Sequence, residues 1–249
     1  MNRFNALLFS LLLSLAAPPG FSQATTEALA DEGERLAALL RVGRRVVSNN
    51  QTLINDPDRG DKGLDSAAFL AKVDAAYRAQ HGQGPLDGDL SDTQRRLTEA
   101  QLAAMATVLD ENQELINSEG LGFKGFIPAI FGRLVNEQFA EQVGSEARLK
   151  VTAPMHLVRN RKARPDDWEA GVFNGQFSQP DWPRSQAFFE TVATGEGEMF
   201  RMLIPEYYGE TCLTCHGGPK GEVDVTGFPK EGAAAGDLAG AISITLKRE

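Results

Sequence analysis

Cysteine is nearly absent from this chain of 249 residues, which contains only Cys212 and Cys215. Because no second cysteine pair exists, a zinc site built on two such pairs is excluded. Histidine is also scarce, and one of the three histidines, His216, follows Cys215 directly. The resulting C-x-x-C-H pattern is the attachment signature of c-type haem, in which the thiols bond to the porphyrin and the imidazole ligates the iron. We therefore predict one covalent haem c per chain, with His216 as the proximal ligand.

Two other interpretations of the cysteine pair stay open at this stage. A thioredoxin-like redox pair needs a strand before the motif and a helix after it. Here the segment Gly217-Gly218-Pro219 follows at once, and it is a poor helix sequence. A plain disulfide is the other alternative, and it would require an oxidising compartment.

Beyond its N-terminus, the chain has no apolar run long enough to span a bilayer. The N-terminus combines Arg3, an apolar run over residues 6–17 and a small-x-small sequence that ends at Ala24. This combination is typical of a signal peptide over residues 1–24. We expect cleavage near Ala24 and a periplasmic protein with no membrane span in its mature chain, with an uncleaved anchor as the alternative.

Basic residues are outnumbered by acidic ones, and the formal net charge is −9. This balance argues against nucleic acid as a partner, because nucleic-acid binding depends on neutralising phosphates with Lys and Arg. The expected partner is a redox protein or a signalling protein in the periplasm.

The first half of the mature chain, residues 25–146, has the apolar spacing of four helices, at residues 32–55, 66–81, 91–117 and 128–144. Segments 50–55 and 112–117 read N-Q-T-L-I-N and N-Q-E-L-I-N, and a G-x-K-G turn follows each segment at the same distance along the chain. We interpret this region as a helix–loop–helix unit used twice. Lys62 and Lys124 of the turns either have a structural role or lie near a haem propionate.

The second half, residues 147–249, has a mixed pattern that predicts a small antiparallel sheet and an α+β protein. We expect strands over residues 149–158, 198–204 and 241–246, with Pro154 as an interruption at a sheet edge. A short helix is predicted to open at Pro165, and a second helix to run from Pro183 through Val192. The glycine-rich residues 217–240 predict a long loop.

Four segments of this half carry a resemblance to a known family. They are Arg159-Asn160-x-x-x-Arg164-Pro165-x-x-Trp168-Glu169, Pro205-Glu206-Tyr207-Tyr208, Cys212-Leu213-x-Cys215-His216-Gly217 and Gly236-Asp237-Leu238-x-Gly240-Ala241-Ile242-Ser243. Together they resemble a bacterial mono-haem family, described as a domain of unknown function with a PAS-like, haem-c-binding fold. Related domains occur alone in the periplasm and as sensor modules of histidine kinases and chemoreceptors. The resemblance implies that the sheet is PAS-like.

The second axial ligand of the iron is not fixed by the sequence. Some sites of the family resemble histidine–cysteine ligation with a thiol on the N-terminal helix, and this chain has no spare cysteine for that arrangement. The chemically reasonable candidates are Met155, His156, Met199 and Met202, and an open position is the alternative. If these residues do not bind the iron, His156 would be a packed or surface imidazole, and Met199 and Met202 would fill the core.

The haem propionates need cations or hydroxyl donors. The candidates are Arg159, Arg201, Tyr207 and Tyr208, which would form charge-assisted or hydroxyl hydrogen bonds. The alternative is that these residues are solvated strand ends and a packed aromatic pair.

These observations favour a periplasmic mono-haem protein that acts in electron transfer or redox sensing. The alternative is a haem-based sensor of a small gas that works with a separate signalling partner. A peroxidase-like enzyme would need an open iron and a distal acid–base group. Only His156 qualifies as that group, so we expect a carrier or sensor rather than an enzyme.

Overall fold

The computed structural model describes residues 25–195 and 197–248. Helices come first and a four-stranded antiparallel sheet follows, so the predicted α+β class is confirmed. The predicted signal peptide, residues 1–24, lies outside the described residues. In the part of the chain that is described, no helix is long and apolar enough to cross a membrane.

Six helices make up the first half of the described chain. They are α1 Thr26–Asn49, α2 Gln51–Ile54, α3 Ser66–His81, α4 Asp92–Glu111, α5 Gln113–Asn117 and α6 Pro128–Val143. The starts of the long helices follow from capping: Thr25, Asp65 and Ser91 each accept a hydrogen bond from a backbone N–H in the first turn. Helix α6 begins with Pro128 in its first turn, where a missing N–H costs nothing.

Each of the two longest predicted helices is split at an asparagine. The Asn50 side-chain amide donates to the Val46 carbonyl at 2.7 Å, and the Asn112 amide donates to the Val108 carbonyl at 2.8 Å. An asparagine that bonds the carbonyl four residues earlier competes with the backbone of the helix. The chain therefore turns at these two residues, and the short helices α2 and α5 follow them.

Reciprocal hydrogen bonds join the two helix–loop–helix segments. The Lys62 N–H donates to Asn117 Oδ1 at 3.0 Å, and the Lys124 N–H donates to Asn55 Oδ1 at the same distance. The two asparagines are as far apart in the sequence as the two lysines, and this separation is that of the repeated segments. Each interaction therefore has a counterpart at the equivalent positions of the other segment.

A second reciprocal pair follows the same rule. Gln51 Nε2 donates to the Phe126 carbonyl at 2.9 Å, and Gln113 Nε2 donates to the Leu64 carbonyl at 3.0 Å. The two loops are thus pinned to each other by side-chain amides.

The lysines of the two G-x-K-G turns point into the fold. Lys62 is 2% exposed and Lys124 is 5% exposed. Their ammonium groups both donate to the Asp56 carbonyl, and Lys124 Nζ also donates to the Ile54 carbonyl at 2.6 Å. Gly63 and Gly125, which follow them, have φ of 57° and 72°, a conformation that favours glycine. These contacts support the structural role of the turns rather than a role at a propionate.

The sheet contains four antiparallel strands in the order β1-β4-β3-β2. They are β1 Ala147–Thr152, β2 Phe188–Thr194, β3 Gly197–Tyr207 and β4 Leu238–Lys247, with short helices α7 Asp167–Val172 and α8 Leu213–His216 between them. Strand β4 is the last in the sequence but lies in the middle of the sheet, between β1 and β3. The chain between β3 and β4 contains the C-x-x-C-H motif.

Two predictions for this half are wrong in detail. The segment from Pro183 through Val192 is predicted to be a helix, but its residues from Phe188 onward belong to strand β2, which pairs with β3 along its whole length. Pro183 opens only a turn, in which the Gln186 N–H donates to the Pro183 carbonyl. The strand predicted over residues 149–158 ends at Thr152, two residues before Pro154, which has no N–H to donate to a ladder. His156 therefore lies in a 3-10 turn, Met155–Leu157, outside the sheet.

One hydrophobic core joins the helices to the sheet. It includes Leu36 of α1, Phe131 of α6, Phe200 of β3 and Ile244 of β4, all at most 1% exposed. On the opposite face of the sheet, α7 and the π-helical turn after it cover Leu203 and Ala241. Helix α1 packs against α3, α4 and α6 and also contacts β2, β3 and β4, while α6 contacts β1.

An ion pair ties α1 to the end of β3. Arg41 Nε lies 2.7 Å from Glu206 Oε1, and Arg44 Nη1 lies 3.0 Å from Glu206 Oε2. Glu206 lies at the register shift that ends the regular pairing of β3. The direction in which the chain leaves the sheet is thus fixed by the first helix.

The buried carboxylate of Glu32 predicts a pH-dependent stability. Burial raises the pKa of Glu32 to about 6, although Arg35, whose Nε lies 3.4 Å from Oε2, opposes this shift. The folded state then holds the proton more tightly than the unfolded state, so stability is lost as pH rises from the unfolded pKa through about 6. We expect Glu32→Gln to be more stable than wild type by up to about 2 kcal/mol at pH 7.5 and nearly equal to it at pH 4.

Chemical denaturation of the mature protein at several pH values measures this difference. Glu99→Gln, which changes an exposed glutamate of α4, is the matched control and should show no such trend. A difference between Glu32→Gln and wild type that does not vary with pH would contradict the assignment.

The reciprocal asparagines predict matched losses of stability. Asn55→Ala and Asn117→Ala each leave one lysine N–H without its acceptor, so each should cost about 1 to 3 kcal/mol of unfolding free energy. Glu114→Ala, an exposed change in α5, is the control and should cost little. If one asparagine is costly and the other is neutral, the two loops are not energetically equivalent.

Candidate functional site

The three residues of the C-x-x-C-H motif lie on one short helical stretch. Strand β3 ends at Tyr207, and the 3-10 turn Glu210–Cys212 leads directly into α8. Cys212 and Cys215 are three positions apart, a spacing that puts two side chains on the same side of a helix. Both thiols are free and half-buried, so the structure does not contain the alternative disulfide.

The imidazole of His216 is held through its Nδ1 atom. Nδ1 lies 2.8 Å from Glu231 Oε2 and 3.4 Å from the Tyr208 hydroxyl. The Tyr208 ring lies beside the imidazole, with 4.8 Å between the ring centroids. With the ionised carboxylate as acceptor, Nδ1 carries the proton and Nε2 keeps a free lone pair. This is the tautomer that a histidine needs in order to bind a metal through Nε2.

Arg159 connects the motif to the loop that follows it. Its Nε and Nη2 atoms donate to the two carboxylate oxygens of Glu231, both at 2.8 Å. Nη1 donates to Asp224 Oδ2 at 2.7 Å, and Nη2 also donates to the Cys215 carbonyl at 2.9 Å. One guanidinium therefore contacts two carboxylates and the backbone of the motif itself.

Burial and these hydrogen bonds shift the ionisation of the cluster. Burial by itself raises the pKa values of Asp224 and Glu231 and lowers that of Arg159. Hydrogen bonds outweigh burial in each case: Thr226 and Arg159 hold the pKa of Asp224 far below its usual range, and Arg159 and His216 lower that of Glu231. The same contacts raise the pKa of Arg159. The cluster is thus one cation facing two anions at neutral pH.

The neighbouring side chains Tyr208 and Cys215 stay protonated. Burial raises the pKa of Tyr208 to about 12, with Glu231 adding to the shift. Burial and then the charge of Asp224 raise the pKa of the Cys215 thiol. A reactive thiol of the thioredoxin type has a lowered pKa, so Cys215 is not a thiol of that reactive kind.

The glycine-rich segment after the motif is folded, although it contains no helix. Asp224 Oδ1 accepts hydrogen bonds from the Thr226 N–H, the Thr226 hydroxyl and the Phe228 N–H. Val223 and Pro229 form an isolated antiparallel bridge. The Ala233 N–H donates to the His216 carbonyl at 2.8 Å, which returns the loop to the motif. We call residues 217–237 the motif loop.

Two of the predicted propionate partners, Arg201 and Tyr207, are engaged by residues outside the motif. Arg201 contacts Asp166 at 2.7 Å and stacks on Trp168 at 4.3 Å. Arg201 lies six positions before Tyr207 in β3, about 20 Å along the strand. The Tyr207 ring is covered by the guanidinium of Arg184 at 4.5 Å. Of the four predicted residues, the structure brings only Arg159 and Tyr208 into contact with the motif.

The four candidates for the second axial ligand lie in two different parts of the fold. Met199 and Met202 are buried in β3, eight and five residues before Tyr207, or about 26 and 17 Å along the strand. Met202 packs against Gly33 of α1, where its sulfur lies 2.7 Å from the place a Cβ would take. Both methionines therefore belong to the sheet, as the core alternative predicts.

Met155 and His156 lie nearer to the motif. His156 lines a cavity of about 410 Å³ together with Tyr208, Glu231 and Lys220. Met155 is 61% exposed and lines a second cavity of about 380 Å³ with Val158, Arg159, Arg161 and Arg164. Of the four candidates, these two adjacent residues are the ones that line the cavities beside Arg159 and Tyr208.

Sequence reasoning missed Glu231, Asp224, Arg161 and Arg164. The first two contact Arg159 from a distant part of the chain, and no local pattern marks them. Arg161 and Arg164 stand out in the sequence as part of a basic turn, but only the fold shows that they line a cavity beside Arg159.

Comparisons with known proteins gave one match. No curated protein and no solved structure matches the chain. The model of the Tll0287-like family matches residues 23–247, which include every described helix and strand. The chain therefore belongs to the Tll0287-like family, a family of cytochrome c-type haem-binding domains.

Proposed function

We propose that this protein is a periplasmic c-type haem protein that acts in electron transfer or redox sensing. One haem is attached to Cys212 and Cys215, and His216 is the proximal ligand. The observation that carries the proposal is the pairing of His216 Nδ1 with Glu231, because it leaves Nε2 available for a metal in a motif whose two thiols are free. When bound, the haem supplies an iron that exchanges one electron.

The charges around the motif favour Arg161 and Arg164 as the residues that hold the propionates. The guanidinium of Arg159 already faces two carboxylates, and that of Arg201 faces Asp166 and Glu169. Arg161 and Arg164 are exposed and line the cavity next to Met155 and Val158. A cavity with two exposed guanidiniums and two apolar side chains suits the edge of a porphyrin.

Three further parts of the proposal concern the fold and the location. The four-stranded antiparallel sheet is PAS-like, and the helix pairs are two copies of one unit, supported by the reciprocal bonds at equivalent positions of the repeated segments. The mature protein is periplasmic, which the N-terminal sequence supports. Its partner is a separate redox or signalling protein.

Haem staining tests the covalent attachment. The full-length chain, expressed with a cytochrome c maturation system, should give a haem-stained band on a denaturing gel. Cys212→Ala/Cys215→Ala should remove the stain, because no thioether can form. Thr214→Ala, an exposed change within the motif, is the matched control and should keep it. A colourless wild-type band from well-matured protein would refute the proposal.

Carbon monoxide tests the second axial position. If Met155 or His156 closes the iron, the reduced protein should bind carbon monoxide slowly or not at all, and Met155→Ala or His156→Ala should bind it at once. Met202→Leu, a change of similar volume in β3, is the control and should behave as wild type. Rapid, stoichiometric binding by the wild type would instead favour the gas-sensor alternative, because it requires an open iron.

A further inference from the structure

We infer that Glu231, oriented by Arg159, is a positioning residue that lowers the reduction potential of the haem by accepting the Nδ1 proton of His216. The inference rests on the proposed function and adds to it a residue outside the C-x-x-C-H motif. A lowered potential makes the reduced haem a stronger electron donor toward its partner.

The group that accepts the Nδ1 proton of His216 is a carboxylate. A ligating histidine usually donates its second N–H to a carboxylate, a carbonyl or water. Here the acceptor is a carboxylate, at 2.8 Å from Nδ1. A hydrogen bond to an ionised acceptor is roughly twice as strong as one to a neutral group. It moves electron density into the imidazole, and the more basic ligand stabilises ferric iron over ferrous iron.

The orientation of the Glu231 carboxylate is set by Arg159. Glu231 Oε1 is held by Arg159 Nε, and Oε2 is shared between Arg159 Nη2 and His216 Nδ1. This fork fixes the plane of the carboxylate, so that the lone pairs of Oε2 face both donors. The Glu231 side chain is 17% exposed, so water competes weakly for the same oxygen.

The backbone on both sides of Glu231 is fixed by hydrogen bonds. The residue before it is fixed by two hydrogen bonds across the motif loop, from the Lys230 N–H to the Glu222 carbonyl and from the Gly221 N–H to the Lys230 carbonyl. Two residues after it, Ala233 is bonded to the carbonyl of His216 itself. These backbone bonds on both sides of Glu231 fix the position of its carboxylate relative to the imidazole of His216.

The acidic groups bonded to Arg159 outnumber its single positive charge. Asp224 adds a second carboxylate against the one guanidinium of Arg159. The net charge of the Arg159, Asp224 and Glu231 cluster is therefore −1. A negative charge next to the proximal histidine would also disfavour the added electron of the ferrous state.

The test is Glu231→Gln in the haem-loaded, full-length protein. Glutamine keeps the size of the side chain but removes its charge, so the midpoint potential should rise. We expect at least a tenfold change in the ratio of oxidised to reduced haem at a fixed potential, equivalent to about 59 mV for a one-electron couple. The iron–histidine stretching band, recorded by resonance Raman spectroscopy after photolysis of the carbon monoxide adduct, should move to lower frequency. If the wild type does not bind carbon monoxide, the comparison is made in whichever of the Met155→Ala and His156→Ala backgrounds binds it.

Glu222→Gln is the matched control. Glu222 lies in the same loop with its side chain 52% exposed, and it pairs with Lys230 instead of His216. Its removal changes the net charge of the protein by the same amount, so its potential should stay close to that of the wild type. If Glu231→Gln does not accumulate, Glu231→Asp is the second variant; it shortens the reach to Nδ1 and should shift the potential in the same direction.

The outcomes separate the inference from the proposed function. A chain that takes up no haem refutes the function. A haem-loaded Glu231→Gln with the potential and stretching band of the wild type overturns the inference and leaves the function standing. Equal shifts in Glu231→Gln and Glu222→Gln also overturn it, because they would reflect overall charge rather than the bond to His216.

Discussion

The candidate site depends on the ion pairs and the hydrogen bond made by the guanidinium of Arg159. It is one cation in contact with Asp224, Glu231 and the Cys215 carbonyl, and its two carboxylates are largely buried. A buried ion pair gives little net stability, but removing one partner typically costs about 3 to 5 kcal/mol because a charge is left without a counterion. The motif loop, which has many glycines and no helix, therefore keeps its position by electrostatics rather than by an apolar core.

The position of Arg159 is itself set by the sheet. The Thr152 hydroxyl, at the end of β1, donates to the Ala163 carbonyl at 2.9 Å, and Lys150 Nζ donates to the Arg164 carbonyl at 3.0 Å. These bonds hold the basic turn, residues 159–164, against strand β1. Strand β1 pairs with β4, which contributes residues to the hydrophobic core shared with the helices. The position of the polar cluster beside His216 therefore depends on the packing of the helices against the sheet.

The parts of the fold that local patterns determine were predictable, and the parts that depend on distant contacts were not. Apolar spacing located the four long helices, and alternation located β3 and β4. Pro183 suggested a helix start, but the phenylalanine and β-branched residues that follow it are a strand sequence once β3 is beside them. Proline before a run of apolar residues is thus weak evidence for a helix when the run also alternates.

The site divides in the same way. The C-x-x-C-H motif identifies the thiols and the imidazole that we propose bind the haem, because haem attachment requires them to be adjacent in sequence. It says nothing about the atom bonded to Nδ1, which comes from a residue 15 positions later. Nor does it say how that carboxylate is oriented, since Arg159 is 72 positions from Glu231. The identity of the proposed iron ligand is therefore local information, whereas the hydrogen bond that would set its basicity is a property of the tertiary structure, supplied by a loop that follows the sheet strand β3.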